Sequence, residues 1–181
     1  MTRLLRQTTF YGEIAFLLAG TIFLGTAGWR FVSFAAFQRY YDVLLNYTGA
    51  PADLQVAGKL IVPRLGLAVV VVNGDDEASL NFGAGHVPGT AAIGAAGNTV
   101  IAGHRDMAFR ALRNVHMGDE IQIEAGKTYS YRVDQIRIVS PEDVSVLRDD
   151  GSDRLTMITC YPFNFIGDAP MRYVVQAEMV H

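Results

Sequence analysis

The hydrophobic positions along this chain follow two different patterns. Near the start, residues 14–29 form an uninterrupted uncharged run, and Glu13 is the only charged residue between Arg6 and Arg30. As an α-helix this run would extend about 24 Å, slightly less than the ~30 Å hydrocarbon core of a bilayer. Arg30 can extend its charged end toward water, so the apolar stretch can continue to Phe37. The pattern predicts an N-terminal transmembrane helix.

Two other interpretations of this apolar run stay open. Thr26-Ala27-Gly28 is a weak cleavage pattern, which would make the run a secretory signal peptide that is removed. A buried core helix would also be apolar. The aromatic residues Tyr11 and Trp29 suit the two membrane interfaces and favour a retained anchor. Basic residues flank both ends, so the positive-inside bias toward a cytoplasmic N-terminus is slight.

A second helical pattern and a breaker mark the domain boundaries. Residues 31–47 carry apolar side chains at close to helical spacing, which indicates a juxtamembrane helix. The sequence Tyr47-Thr48-Gly49-Ala50-Pro51 ends this pattern. We therefore expect a membrane anchor with a cytoplasmic tip at 1–35, a juxtamembrane helix or linker at 36–57, and a folded domain at 58–181.

After Gly58 the apolar positions change to short β-branched or aromatic runs that are separated by turn residues. These runs lie at 59–62, 67–72, 98–102, 119–123, 129–139, 155–160 and 172–177. Seven or eight short strands with little helix between them predict an antiparallel sandwich or barrel. Residues 76–82 favour a short helix, and no parallel βαβ pattern is visible. Residues 83–85 lack the strand–loop–helix context of a phosphate loop.

The composition excludes several classes of protein. Of the 181 residues, 50% are hydrophobic and 18% are charged, against about 25% charged in ordinary globular chains. The membrane anchor accounts for much of this apolar excess. Cys160 is the one cysteine, so no internal disulfide can form. The net charge of -3 gives no sign of a nucleic-acid binder, which would usually be basic.

Three residues at predicted strand ends are candidates for chemistry: Cys160, His104 and Arg172. Cys160 ends an apolar run, and Pro162 stops strand pairing soon after it. His104 ends its run directly after a glycine. If the last two runs pair as antiparallel neighbours, Arg172 lies beside Cys160. Taken singly, the three also fit an inert core thiol, a surface histidine and a salt-bridge arginine.

Together these side chains form a coherent site for acyl transfer. A cysteine attacks a carbonyl as its thiolate, which a nearby cation favours. A histidine can give a proton to the departing amine, and a guanidinium suits the tetrahedral oxyanion. Arg105, Arg110 and Arg113 are rival oxyanion residues. Asp106 is a weaker candidate for orienting His104.

Four linked motifs in the folded domain resemble those of the sortase family. Residues 155–162 (LTMITCYP) resemble the Thr-Leu-x-Thr-Cys signature, with Met157 where the family often has leucine or valine. The others are the histidine segment 100–106 (VIAGHRD), the stretch 82–90 that precedes it, and the arginine strand 170–175 (PMRYVV). They occur in the family's order across residues 58–181. The Cys-Tyr-Pro form resembles the class D/E-like sortases, including the group found in Gram-negative bacteria.

The resemblance implies a closed eight-stranded β-barrel with short helices, preceded by the N-terminal transmembrane helix. It implies that Cys160 is the nucleophile, that His104 is the general acid and later the base, and that Arg172 holds the oxyanion. Thr159 is implied, less directly, to add a substrate hydrogen bond. No acidic cluster resembles a calcium site, so neither metal nor cofactor is expected.

The resemblance also implies the partners of the protein. These are a secreted protein with a C-terminal LPXTG-like sorting signal, an amine acceptor and, through the N-terminal helix, the membrane. The predicted location is the cytoplasmic (inner) membrane, single-pass, with the folded domain on the extracytoplasmic side. Two alternatives remain open, namely a hydrolase that uses water as acceptor and a non-catalytic anchored binding module.

Overall fold

The computed structural model describes the backbone of residues 2–45 and 55–180, and the side chains of 13–40 and 55–180. The described chain divides into two compact units, residues 1–37 and 38–181. The predicted break at residues 47–51 lies outside the described residues. The domain boundaries predicted at 35 and 58 stay predictions, because one helix continues through residue 35.

The first unit lies within a single long helix, whose last residues belong to the second unit. Helix α1 extends over Thr2–Leu45, and Glu13–Tyr40 is a 28-residue apolar segment with a mean hydropathy of 1.5. Its large apolar side chains face outward, with Phe16 81% exposed and Trp29 72% exposed. A core helix would bury these side chains, whereas lipid favours their exposure. By length and composition the segment can therefore cross a membrane, and a signal sequence would meet the same two criteria.

The second unit is built on eight strands and one short α-helix. The elements in chain order are β1 Val56–Val62, β2 Leu67–Asn73, α2 Glu77–Phe82, β3 Ala84–His86, β4 Asn98–Ala102, β5 Glu120–Ala125, β6 Lys127–Val139, β7 Arg154–Tyr161 and β8 Met171–Val180. They close into a barrel in the order β1-β2-β3-β4-β7-β8-β6-β5. Closure leaves no unpaired strand edge. The predicted eight-stranded closed barrel is confirmed.

The prediction of purely antiparallel pairing was wrong at two places. β2 pairs with β3 in parallel, and β4 pairs with β7 in parallel. Parallel neighbours need a crossover connection, which α2 provides between β2 and β3. Its six residues are too few to produce a recognisable βαβ pattern. β4 and β7 are separated by two other strands in the sequence, so no local sequence pattern predicts their pairing.

The burial of the strands explains their sequence patterns. β5 alternates buried and more exposed positions, as a strand with one face in the core does. β4 and most of β7 are buried on both faces, which accounts for their continuous apolar runs. The connection between β6 and β7 covers the second face, and it buries Val146 to 4% exposure.

The Gln38 side chain binds the backbone on both sides of the point where β2 and β3 begin to pair. The Gln38 side-chain carbonyl accepts from the Val70 N–H at 2.8 Å, and its amide donates to the Phe82 carbonyl at 2.8 Å. A Cβ at Gly83 would lie 2.4 Å from the Val70 carbonyl oxygen. Gln38 therefore supplies hydrogen-bond partners to Val70 and Phe82, which lie just before the first β2–β3 pair. Gly83 lets its own backbone lie close to the Val70 carbonyl.

Candidate active site

The register of β7 and β8 places Arg172 beside Cys160. The two strands are antiparallel, and Cys160 is the direct partner of Arg172 in the ladder. Paired residues in antiparallel strands direct their side chains to the same face, with Cβ atoms about 4.5–5.5 Å apart. The expectation that the last two strands pair and bring these residues together is confirmed.

His104 approaches Cys160 from the other side. β4 is parallel to β7 with Ala102 opposite Ile158, and the Gly103 N–H donates to the Ile158 carbonyl at 3.1 Å. The Thr159 hydroxyl also donates to the Gly103 carbonyl at 2.7 Å. His104 therefore follows directly after a residue that is hydrogen-bonded to Ile158 and Thr159, the two residues before Cys160.

Cys160 and His104 are both half-buried. The His104 Nε2 atom is itself buried, and it has no hydrogen-bond partner among the described residues. The main chain at His104 is fixed, because its carbonyl accepts from the N–H groups of Phe109 at 2.9 Å and Met107 at 3.3 Å. The main chain that carries the imidazole is therefore held in place, and no described side chain or backbone group occupies its Nε2 atom.

Gly103 and Thr159 join the histidine segment to the cysteine strand. Thr159 is 3% exposed, and its hydroxyl donates to the Gly103 carbonyl at 2.7 Å. A Cβ at Gly103 would lie 2.8 Å from the ring of Phe109, which is fully buried. Only glycine lets this ring pack so closely under the segment. In this structure Thr159 therefore contacts the backbone beside His104, and its predicted substrate bond stays a prediction.

Arg172 is bound to the connection between β7 and β8. Its Nη1 donates to the carbonyls of Ala169 at 3.2 Å and Met171 at 3.1 Å. No other hydrogen bond of this guanidinium occurs among the described residues, so its remaining N–H groups can meet a substrate oxygen. The positive charge of Arg172 also acts on the carboxyl group of Glu142. The Ser140 hydroxyl lowers the pKa of the Glu142 carboxyl most, its own backbone N–H lowers it further, and the Arg172 charge adds a smaller effect.

The rival arginines occupy other positions. Arg105 Nη2 donates to the carbonyls of Phe165 at 2.6 Å and Gly167 at 3.0 Å. Arg113 lies over the ring of Phe163, with its guanidinium carbon 5.6 Å from the ring centroid. Arg110 is exposed. Arg105 and Arg113 are thus engaged with the connection between β7 and β8.

Asp106 is exposed and makes no hydrogen bond to His104 among the described residues. No group of three His, Cys, Asp or Glu side chains within the described ranges is placed to hold a metal ion.

A cluster of aromatic rings lies at the end of the barrel beneath the site. Tyr161 and Tyr173 stack at 6.0 Å between centroids, and the Phe163 ring meets Tyr173 edge-on at 5.2 Å. Tyr161 and Tyr173 directly follow Cys160 and Arg172 in their strands, so these two rings lie on the opposite face. Phe163 lies in the connection after β7. Burial raises the pKa of Tyr173, so its hydroxyl stays neutral. The cluster fixes the strand ends that carry the reactive side chains.

A buried polar chain was not predicted from the sequence. The Gln176 side-chain amide donates to the Thr156 hydroxyl at 3.2 Å, and that hydroxyl donates to the side-chain oxygen of Asn98, Oδ1, at 2.7 Å. The Asn98 amide then donates to the carbonyls of Val146 at 3.0 Å and Arg148 at 3.1 Å. The chain therefore holds the β6–β7 connection against the face that carries the site. A polar residue in an otherwise apolar strand, such as Asn98 in β4, is the sequence feature that could have indicated these buried hydrogen bonds.

Comparison with known proteins agrees with this geometry. Residues 60–180 match the family model described as the sortase domain. The chain is 30% identical over 132 residues to Sortase D of Bacillus subtilis (strain 168), covering 72% of this chain and 67% of that protein. It is also 30% identical over 131 residues to Sortase A of Bacillus anthracis, covering 70% of this chain and 60% of that protein.

Solved structures show the same fold. A Clostridium perfringens Sortase D5 transpeptidase aligns with a TM-score of 0.69 at 24% identity, over 83% of this chain and 99% of that chain. Sortase A from Corynebacterium diphtheriae aligns with a TM-score of 0.65 at 34% identity, over 71% of this chain and 62% of that chain.

The family match and the homologues indicate that this closed barrel is an enzyme, a cysteine transpeptidase. The chain belongs to the sortase family. A Sortase D and a Sortase A match it at the same identity, so these matches do not separate the classes, and the class D/E-like prediction stays a prediction.

Proposed function

We propose that this protein is a membrane-anchored sortase that cleaves an LPXTG-like sorting signal and transfers its acyl part to an amine. Sortases act on such signals and on amine acceptors. The observation that most directly supports the proposal is the register that pairs Cys160 with Arg172, while the segment that carries His104 is hydrogen-bonded to Ile158 and Thr159. A thiol, an imidazole and a guanidinium in one region suit acyl transfer.

In the first half-reaction, Cys160 Sγ attacks the carbonyl carbon of the threonine residue in the signal. The S–C bond forms, and Arg172 donates hydrogen bonds to the oxyanion that develops. The C–N bond then breaks, and His104 gives a proton to the departing amine. The product is a thioacyl-enzyme, with the C-terminal part of the signal released.

In the second half-reaction, the nitrogen of an acceptor amine attacks the thioacyl carbon. His104 takes the proton from this nitrogen, and the Cys160 thiolate leaves as the new amide bond forms. Arg172 stabilises the oxyanion in this step as well, because the tetrahedral geometry is the same. Water in place of the amine would give the hydrolase alternative with the same residues.

Residues 13–40 support attachment to a membrane, since they form a helix with the required length and hydropathy. We propose a single-pass anchor at residues 1–35 in the cytoplasmic (inner) membrane, a juxtamembrane segment at 36–57, and the catalytic domain at 58–181 on the extracytoplasmic side. A secreted protein that carries the sorting signal would meet the domain there.

The test uses the full chain in detergent with an LPXTG-type peptide, with and without an amine such as triglycine. Mass spectrometry follows the peptide products. A product that contains the added amine supports the transpeptidase, and cleavage to the free acid alone supports the hydrolase. Cys160→Ala should abolish both products. Turnover that survives in Cys160→Ala would contradict the proposal.

A further inference from the structure

The connection between β7 and β8, residues 162–170, follows Cys160 and leads directly into Arg172. Most of it is exposed, and Ile166 is 98% exposed. Among the described residues, the only main-chain hydrogen bond within this segment runs from the Phe165 N–H to the Pro162 carbonyl at 3.3 Å. The segment therefore depends on side chains from elsewhere for its position.

Arg105, the residue after His104, provides the main contact. A single nitrogen, Nη2, donates to the carbonyls of Phe165 at 2.6 Å and Gly167 at 3.0 Å, so it binds the main chain on both sides of Ile166. The other terminal nitrogen, Nη1, is buried. The guanidinium thus lies against the connection, and a charged donor makes stronger hydrogen bonds to carbonyls than a neutral one.

Arg172 binds the same connection at its far end, through the carbonyls of Ala169 and Met171. Residues 168–170 are therefore enclosed between the two arginine contacts. A displacement of Gly167 would be transmitted over two residues to Ala169, and from there to the guanidinium that faces Cys160. Arg113 over the Phe163 ring holds the beginning of the same segment.

We propose that Arg105 is a positioning residue that fixes the β7–β8 connection and, through it, the guanidinium of Arg172. This inference rests on the proposed function, because it assigns the oxyanion to Arg172. Arg105 does not itself act on the oxyanion. Its effect on the reaction is transmitted by the carbonyls of residues 165–171, and it is largest in the steps where Arg172 acts.

The first measurement requires no substrate. Limited cleavage by chymotrypsin within residues 162–170, which include Phe163 and Phe165, is compared between the full-length wild type in detergent and the variants Arg105→Gln and Arg105→Lys. Arg105→Gln removes the charged donor to the Phe165 and Gly167 carbonyls, so we expect cleavage within this segment to become about tenfold faster. The ammonium of Arg105→Lys can still donate to both carbonyls, so its cleavage should stay closer to the wild-type rate. Arg132→Gln, an exposed position on β6, is the matched charge control and should leave this cleavage unchanged. Unchanged cleavage in Arg105→Gln would overturn the proposal.

The second measurement follows single-turnover formation of the thioacyl-enzyme. We expect Arg105→Gln to slow this step about tenfold or more with a smaller change in KM, as a displacement near 1 Å does. In an Arg172→Lys background the same change should cause little further loss, because Arg105 acts through Arg172. Losses that multiply in the double variant would overturn the proposal.

The two measurements also separate this inference from the proposed function. If wild type forms no thioacyl-enzyme, the proposed function fails, whereas the proteolysis experiment still reports whether Arg105 holds the connection. Thermal unfolding of Arg105→Gln should match wild type, and an about tenfold faster cleavage confined to residues 162–170 then marks a local effect. Arg105→Lys retains charge and approximate length, and recovery of slow cleavage in this variant supports the contact.

Discussion

Replacing Gly103 with alanine tests how closely the histidine segment is held. A Cβ at this position would lie 2.8, 2.9 and 3.0 Å from three ring carbons of Phe109. Ordinary contacts begin near 3.4 Å, so the ring or the segment must move by roughly 0.5 Å or more. Phe109 is fully buried and has no free volume to enter. Because its N–H binds the His104 carbonyl at 2.9 Å, the displacement reaches His104, the proposed general acid.

Overpacking of this kind costs about 1–3 kcal/mol, which for a protein of this size lowers Tm by roughly 2–12 °C. A histidine displaced by half an ångström to one ångström should slow thioacyl formation by about 10- to 100-fold. The assays are thermal unfolding of the full chain in detergent and single-turnover acylation with an LPXTG-type peptide. Gly28→Ala is the control, because a Cβ there meets nothing within 4 Å.

A compensating change sharpens this test. Phe109→Leu removes part of the ring that the new Cβ would strike, so the double variant Gly103→Ala, Phe109→Leu should recover part of the lost acylation rate. If Gly103→Ala alone has the stability and acylation rate of wild type, the proposed close packing under His104 is wrong.

Three further predictions concern other parts of the molecule. Arg172→Lys should lower kcat/KM by about 100-fold or more, as the loss of an oxyanion donor does, and near-native steady-state rates would contradict its role. Asn98→Ala leaves the carbonyls of Val146 and Arg148 without their donor, so we expect a stability loss of about 2 kcal/mol and a raised peptide KM. An unchanged KM would show that the β6–β7 connection holds its position without Asn98. Asp119→Asn should destabilise the protein by about 1–2 kcal/mol at pH 7, since the carboxylate accepts from Arg64 and from the His116 N–H. Its pKa is lowered chiefly by the Arg64 hydrogen bond, so this contribution is present above about pH 4 and is lost as pH falls through the folded-state pKa. Thermal unfolding at pH 7 and at a series of lower pH values measures it, and a difference between variant and wild type that does not shrink as the pH falls would refute the assignment.

The pairing of Cys160 with Arg172 was predictable because its signals are local. The two residues lie on strands joined by one connection, and consecutive strands commonly pair as antiparallel neighbours. The spacing therefore predicted that the two residues would meet, and the ladder confirms it. The proposed role of His104 came from the family resemblance, because nothing local predicts the parallel pairing of β4 with β7.

The features that the sequence did not predict are a very short strand and contacts between residues far apart in the sequence. β3 has three residues, Ala84–His86, too few for a periodic pattern. Arg105 binds carbonyls 60 and 62 residues away, and Asn98 binds carbonyls 48 and 50 residues away. Backbone carbonyls have no sequence signature, so only the folded chain shows which side chains hold the two connections around the site.

In the proposed reaction, Cys160 becomes acylated by a sorting-signal peptide at a site completed by His104 and Arg172. Trapping the enzyme with an LPXTG-type peptide in the absence of amine, and locating the added mass by tandem mass spectrometry, tests this step. We expect an acyl group on Cys160, formed more slowly in Arg172→Lys and absent in Cys160→Ala. Peptide cleavage with no adduct on Cys160, or an adduct that persists in Cys160→Ala, would show that Cys160 is not the nucleophile.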